Sequence, residues 1–175
     1  LNIGFLGALD WEANREGLLW FLEKVWPVIK ASKPQLNLNI AGRNAPNEFV
    51  EQLPANINYV GEVDSAKEFI EEQAIMIVPL LSGSGMRIKI IEALAMGRCA
   101  VTTTVAAEGI RYKNGVDLLV EDDPIVFGEK ILEVTSDEKL CKKIGSAGEK
   151  LVKEQHDIEI LVSRLLAFYK QSFDI

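Results

Sequence analysis

The sequence predicts an α/β fold, a doubly wound parallel sheet with helices on both faces. Short apolar, strand-like runs alternate with longer segments of helical periodicity along the whole chain, the pattern of parallel strands joined by crossover helices. Most of the early runs stop at a glycine or a proline, Gly7, Gly42, Gly61 and Pro79, residues that punctuate strand ends. At 175 residues the chain is long enough for one well-buried core and too short for two ordinary domains. With no repeat, linker or low-complexity tract to divide it, residues 1–175 read as a single domain.

Taken in order, Asn2–Leu6 is the first strand. A helix from about Asn14 to Lys30 follows, with Leu18, Leu19, Leu22, Val25, Trp26 and Ile29 on one stripe. Leu36–Ala41 is the second strand, and a short helix is expected near Asn47–Leu53. Ile57–Val60 is a strand, and Asp64 or Ser65 caps the helix that runs to Glu72. Ile75–Val78 is a buried strand, Leu80–Gly85 a glycine-bearing loop, and Met86–Met96 a helix ended by Gly97. Cys99–Thr103 and Leu118–Val120 read as strands around a turn-rich stretch. Helices are expected over Ile125–Thr135, Glu138–Lys153 and Ile158–Gln171. The last carries Ile158, Leu161, Val162, Leu165, Leu166 and Tyr169 at helical spacing, a face that either packs on its own domain or covers a neighbouring one.

Composition excludes several classes. Hydrophobic residues make up 48% and charged residues 26%, which is ordinary for a globular domain and excludes disorder, collagen and coiled coil. The formal net charge of −7 argues against a general nucleic-acid or anionic-membrane surface, which needs clustered Lys and Arg. No apolar run approaches the ~20 residues of a membrane span, and no signal peptide is recognisable, so a cytoplasmic location is expected. Cys99 and Cys141 lie far apart in sequence and suggest neither a disulfide framework nor a zinc site. The chain opens inside a strand, Leu1-Asn2-Ile3-Gly4-Phe5, without an initiator Met, and is expected to be the C-terminal portion of something larger.

The residues that carry chemistry cluster between Ile75 and Gly97. In open α/β sheets, ligands bind beyond the carboxyl ends of the strands, and here a glycine loop stands there between a buried strand and a helix start. Gly83 and Gly85 allow close backbone approach and strained conformations, and free N–H groups at the helix start favour an anion. Arg87 and Lys89 stand in the first turn, where positive charge opposes the helix dipole, so an external anion, best a diphosphate, is expected to repay them. Glu92 lies one turn past Lys89 among apolar neighbours. Its carboxylate suits two ribose hydroxyls, or an internal salt bridge to Arg87 or Lys89.

At these residues the chain resembles the C-terminal nucleotide-binding domain of GT-B glycosyltransferases, the group nearest being the retaining family that includes sucrose-phosphate and glycogen synthases. Pro79 through Val101, with Glu92-Ala93-Leu94-Ala95-Met96-Gly97, is the densest match. Phe5-Leu6-Gly7 resembles the family's opening strand, Leu38–Gly42 its second, and Tyr59-Val60-Gly61-Glu62-Val63 the turn of its base pocket. Asn114-Gly115 to Val120 resembles a further family region, with Asp117 near a usual glycine.

What the resemblance implies is a Rossmann-like half of a GT-B fold, 1–175 being the donor-binding domain and an N-terminal acceptor domain being absent from the chain. By position, Glu92 resembles the second glutamate of a paired motif, which holds the donor ribose. The first glutamate position is Ser84, beside the donor sugar, and the position of the family's first-strand arginine is Ala8. Arg87 and Lys89 are therefore expected to hold the diphosphate and to act catalytically on it, as in a subgroup with Gly-x-Gly-x-Arg-x-Lys before this helix. Gly7, Gly61, Val63, Gly83, Ser84, Gly85, Glu92 and Glu108 are the expected binding residues, Glu108 belonging to a turn that either faces the sugar or is only a turn.

The implied function is transfer of a sugar from a nucleotide-diphosphate sugar to an unknown acceptor, with retention. No metal and no cofactor are expected. Cationic side chains and a helix terminus do a metal's work, and no Asp-x-Asp sequence is present. Glu121-Asp122-Asp123-Pro124 reads instead as a helix cap. The expected partners are the donor and the absent N-terminal domain, with no nucleic acid, and with membrane association only through the absent half. Trp20 and Trp26 read as packing and Trp11 as a loop residue on the cleft side. The competing reading is a catalytically degenerate nucleotide- or partner-binding module, in which Ala8 and Ser84 mark lost activity.

Overall fold

A computed structural model of the chain describes residues 1–54 and 56–173. Strands β1 (Ile3–Leu6), β2 (Leu38–Ala41), β3 (Ile57–Gly61), β4 (Ile75–Val78), β5 (Cys99–Thr102) and β6 (Leu119–Val120) form one sheet in the order β3-β2-β1-β4-β5-β6. Every pairing is parallel. The strand order reverses between β1 and β4, which makes this the switch point where a crevice opens above the sheet. The fold is thus the doubly wound, Rossmann-like α/β arrangement that the alternation of periods predicts.

Around the sheet lie α1 (Glu12–Trp20), α2 (Trp26–Ser32), α3 (Asn47–Glu51), α4 (Ala66–Glu72), α5 (Ile88–Ala95), α6 (Pro124–Ser136), α7 (Glu138–Gln155) and α8 (Ile158–Phe173). One face of the sheet packs Phe5, Leu18, Phe21, Trp26 and Phe127, all buried, between the strands and α1, α2 and α6. The other face packs Val78, Ile90, Leu94, Ala100 and Leu151 against α5 and α7. The central strands β4 and β5 are buried at every position, as strands covered by helices on both sides must be. Trp20 sets its ring edge-on to Phe127 at 5.6 Å, so it and Trp26 are packing residues.

Two helix boundaries depart from the sequence expectation. The helix expected over Asn14–Lys30 starts at Glu12 and widens into a π-helical segment, Phe21–Val25, before α2. Pro27 is the cause: it has no N–H for the Glu23 carbonyl and its ring crowds that oxygen, so a regular α-turn is not available there. The helix expected from Met86 starts at Ile88. Gly83 and Gly85 take φ of +108° and +84°, and Arg87 stays extended at φ −89°, ψ 104°, as the N-cap. Arg87 therefore precedes the first turn, and of the two cations Lys89 alone lies within it.

Caps follow the short polar residues. Ser65, rather than Asp64, accepts the Glu68 N–H at 3.2 Å. Asp123 accepts the N–H groups of Ile125 and Val126 at the start of α6. Folding also brings Cys99 of β5 and Cys141 of α7 side by side as free thiols, the Cys141 thiol donating to the Ala74 carbonyl at 3.8 Å. On α8 the stripe Ile158, Leu161, Val162, Leu165, Leu166, Tyr169 stays exposed, so packing on its own domain does not cover it. Among the described residues no helix is long and apolar enough to cross a membrane.

Candidate functional site

The crevice at the switch point is floored by three turns, following β1, β4 and β5. The β4 turn is pinned from both sides before it becomes free. Gly17 of α1 lies against the Pro79 carbonyl, where any Cβ would collide with backbone. Buried Thr102 donates to the Val78 carbonyl at 2.8 Å, and buried Thr103 donates to that of Leu80. From Leu81 to Met86 the chain is exposed. Glu108, in the β5 turn, accepts the Gly85 N–H at 3.1 Å, so the two turns meet through that carboxylate.

Arg87 is only 8% exposed. Its Nη1 donates to the Ser84 carbonyl at 2.6 Å, and Trp11 lies beside its guanidinium, 5.8 Å from ring centre to Cζ. Its Nε and Nη2 are buried and have no hydrogen-bond partner among the described residues. Lys89 reaches the turn after β1, where its ammonium donates to Asn14 Oδ1 at 2.8 Å and lies 5.4 Å from the centre of the Phe5 ring. Burial first, and the charge of Arg87 second, pull the Lys89 pKa down from 10.5 to about 8. Two neighbouring cations are thus withdrawn from water with a carbonyl and an amide oxygen for company, not a carboxylate. The ion pairs among the described residues lie elsewhere, on exposed helix faces. Such an arrangement costs folding energy, which a negative charge placed beside the two cations would offset. Arg87 caps the start of α5 with no side-chain hydrogen bond, and the Ile88 and Lys89 N–H groups meet no acceptor among the described residues.

Gly7 links this cationic end to the other expected residues. A Cβ at Gly7 would fall 2.8 Å from Lys89 Nζ. The same glycine lines a groove of about 280 Å³ together with Gly42, Arg43, Glu62 and Val63. At the far end, β3 slips register against β2 so that Ala41 pairs with Gly61, which takes φ +80°. The Gly42 N–H donates to the Gly61 carbonyl at 2.8 Å, and Tyr59 donates to the Gly42 carbonyl at 2.6 Å. The bulge bends the Gly61–Val63 turn over the groove. Gly7, Val63, Gly83, Ser84, Gly85, Arg87, Lys89 and Glu108 thus join one run of contacts, with Gly61 at its edge.

Glu92 is half-buried on α5, and its carboxylate makes no hydrogen bond or ion pair among the described residues. The internal salt bridge that its spacing allows is not formed, because Arg87 turns back to Ser84 and Lys89 to Asn14. Asp122 and Asp123 serve Thr104 and the start of α6. No group of three or more His, Cys, Asp or Glu among the described residues is placed to hold a metal ion. Larger hollows carry no comparable pair of cations. One of about 390 Å³ adjoins the groove through Glu62 and Val63, is lined also by Asn39, Asn58, Glu68 and Gln73, and brings no cation to an anion. Another of about 490 Å³ sets Arg111, Lys113 and Lys150 beside Asp117 and Glu154.

Sequence reasoning missed Asn14 and Arg43. Asn14 is 3% exposed in the first turn of α1, and a buried asparagine one turn after a strand-ending glycine is a local signal for such a role. Arg43 follows Gly42 on the groove wall, and nothing in its neighbourhood in sequence marks it.

Comparison with known proteins agrees with this geometry. A family model described as "Glycosyl transferases group 1" matches residues 1–137. An uncharacterized 44.6 kDa protein in the cps region of Klebsiella pneumoniae is 27% identical over 174 residues, 94% of this chain and 45% of that protein. The chain therefore spans about half the length of that relative. Among solved structures, the C-terminal domain of a glycosyl transferase group 1 family protein from Francisella tularensis superposes with a TM-score of 0.75 at 17% identity, over 90% of this chain and 86% of that one. Sucrose-phosphate synthase from Thermosynechococcus elongatus gives 0.75 at 18% identity, over 99% of this chain and 46% of that one. HepE from Anabaena, solved in complex with UDP, gives 0.77 at 12% identity, over 98% and 49%. With most of its length matched by the family model and its sheet matched by these folds, the chain belongs to the group 1 glycosyl transferases.

Proposed function

We propose that this chain is the donor-binding domain of a metal-independent, retaining glycosyltransferase that takes a sugar from a nucleotide-diphosphate sugar. The observation that carries the reading is the pair Arg87 and Lys89, two withdrawn cations without a carboxylate, beside a glycine loop and an uncapped helix start at the switch point. A diphosphate supplies the missing negative charge. As the anomeric C–O bond breaks, its electron pair stays on the diphosphate oxygen, and Arg87, Lys89 and the N–H groups of the loop stabilise that charge most as it develops. The acceptor hydroxyl oxygen bonds to the anomeric carbon on the face the diphosphate leaves, and its proton passes to the departing diphosphate oxygen. Gly83, Ser84 and Gly85 let the phosphates approach the backbone, Gly7 keeps the groove open, and the Gly61–Val63 turn meets the base. Glu92 takes the ribose hydroxyls, and Glu108 faces the sugar.

The relatives lend support. HepE from Anabaena and TarM from S. aureus were each solved with UDP. The cps-region relative supports a place in cell-surface polysaccharide assembly. Its greater length supports a second, acceptor-holding domain in the parent protein, through which any membrane contact is made in the cytoplasm. Alone, this domain binds donor and scarcely turns it over, because transfer needs both reactants held in register.

The second reading, a degenerate module, draws on Ala8 and Ser84 at positions where the resembling family has arginine and glutamate. Calorimetric titration of the chain with UDP, GDP and ADP separates the two. Saturable binding of one nucleotide, weakened by Glu92→Ala, is the expected result. A folded sample that binds none of the three overturns the donor-site reading.

A further inference from the structure

Asn14 is the third residue of α1 and is 3% exposed, and both ends of its amide are engaged. Nδ2 donates to the Ala8 carbonyl at 2.9 Å, which fixes the amide so that Oδ1 faces the crevice. That oxygen accepts the Lys89 ammonium at 2.8 Å across 75 residues of sequence. Gly7 leaves the space for the pair, since a Cβ there would fall 2.7 Å from Asn14 Nδ2 and 2.8 Å from Lys89 Nζ. Beside Lys89 lie the Phe5 ring and the Arg87 guanidinium, and among the described residues no carboxylate answers the ammonium.

Resting on the donor-site reading, we propose that Asn14 is a positioning residue: it aims the Lys89 ammonium into the crevice through a neutral acceptor, leaving its charge for a diphosphate. An aspartate has the same size and reach, and would spoil both functions. Its carboxylate would face the Ala8 carbonyl, which needs a donor, and would neutralise Lys89 within the protein. An alanine would leave Lys89 charged and untethered. The lowered pKa of Lys89 agrees with a tether that adds no negative charge.

The test follows Lys89 and ligand separately in the wild-type chain, Asn14→Asp and Asn14→Ala. Lysine-labelled NMR reads the Lys89 midpoint without ligand. Calorimetry reads affinity for whichever of UDP, GDP and ADP binds, and for its nucleoside. In Asn14→Asp the midpoint should rise well above about 8, and diphosphate affinity should fall about tenfold to a hundredfold, the worth of a hydrogen bond to a charged group. In Asn14→Ala diphosphate affinity should fall about tenfold. Nucleoside affinity should not change in either, which a merely structural loss would not spare. If Asn14→Asp does not fold, Asn14→Ala carries the test. Folded variants that keep wild-type diphosphate affinity overturn the positioning role and leave the donor site standing. A wild-type chain that binds no nucleoside diphosphate removes the donor site, and this role with it.

Discussion

Raising the pH through the range where Lys89 loses its proton should weaken diphosphate binding while it stabilises the empty chain. In the folded chain Lys89 titrates at about 8, against 10.5 for an ordinary lysine. The difference corresponds to about 3 kcal/mol against the charged form. Because the folded pKa is the lower one, the unfolded chain holds the extra proton between about pH 8 and 10.5, so folding stability rises with pH across that window. Below about pH 8 both states are protonated and the penalty is present in full. A bound diphosphate favours the charged ammonium and reverses the balance. Affinity should then be level below about pH 8 and fall about tenfold per unit above it, with about one proton taken up on binding. A terminal phosphate with its pKa near 6 is essentially fully ionised by about pH 8, so the ligand adds no slope above that. Calorimetry from about pH 7 to 9.5, in buffers of different ionisation enthalpy, reads affinity and proton uptake together. Lys89→Met should bind more weakly with no slope, which separates Lys89 from other groups that titrate at high pH. Level wild-type affinity with no proton uptake, in a chain that remains folded, would refute the reasoning.

Three further substitutions test the frame that holds the site. A Cβ at Gly42 would overlap the Gly7 carbonyl oxygen, so Gly42→Ala should cost about 1–3 kcal/mol. Its Tm should fall by about 2–10 °C, with a loss of nucleotide binding, since the groove wall moves. Phe127 is fully buried and meets Phe21 edge-on at 5.9 Å, so Phe127→Ala should cost about 3–5 kcal/mol by denaturant unfolding while the folded fraction binds nucleotide normally. Asp123→Ala removes the acceptor for two N–H groups of α6 and should cost about 1 kcal/mol, with an unchanged m-value.

Much of this molecule is written in short-range signals. The strands are runs of apolar residues ended by Gly7, Gly42, Gly61 and Pro79, and the alternation with helical stripes implies a parallel sheet without any long-range information. The cationic glycine loop was legible for the same reason, since Gly83, Gly85, Arg87 and Lys89 lie within seven consecutive positions. Boundaries were less so. The start of α5 depends on Arg87 folding back to Ser84, a local contact that periodicity does not register. The widening at Phe21–Val25 is a response to Pro27 inside an otherwise unbroken apolar stripe. What the sequence hides most completely is contact across the fold. Asn14 meets Lys89 from another helix, and Cys99 meets Cys141 from β5 to α7, though neither pair shares a local pattern. Both meetings depend on the strand order, which places α1 beside the β4 turn and α7 over β5.

The central claim is that a nucleoside diphosphate sits with its phosphates between the Gly83–Gly85 loop and the start of α5. Amide spectra of the isotope-labelled chain, recorded with and without the nucleotide that binds, test it residue by residue. The account predicts shifts concentrated at Gly7, Gly83, Gly85, Arg87, Ile88 and Lys89, and their loss when Arg87→Ala and Lys89→Met are combined. Shifts gathered instead around Arg111, Lys113 and Lys150, or shifts that survive the double substitution, would contradict it.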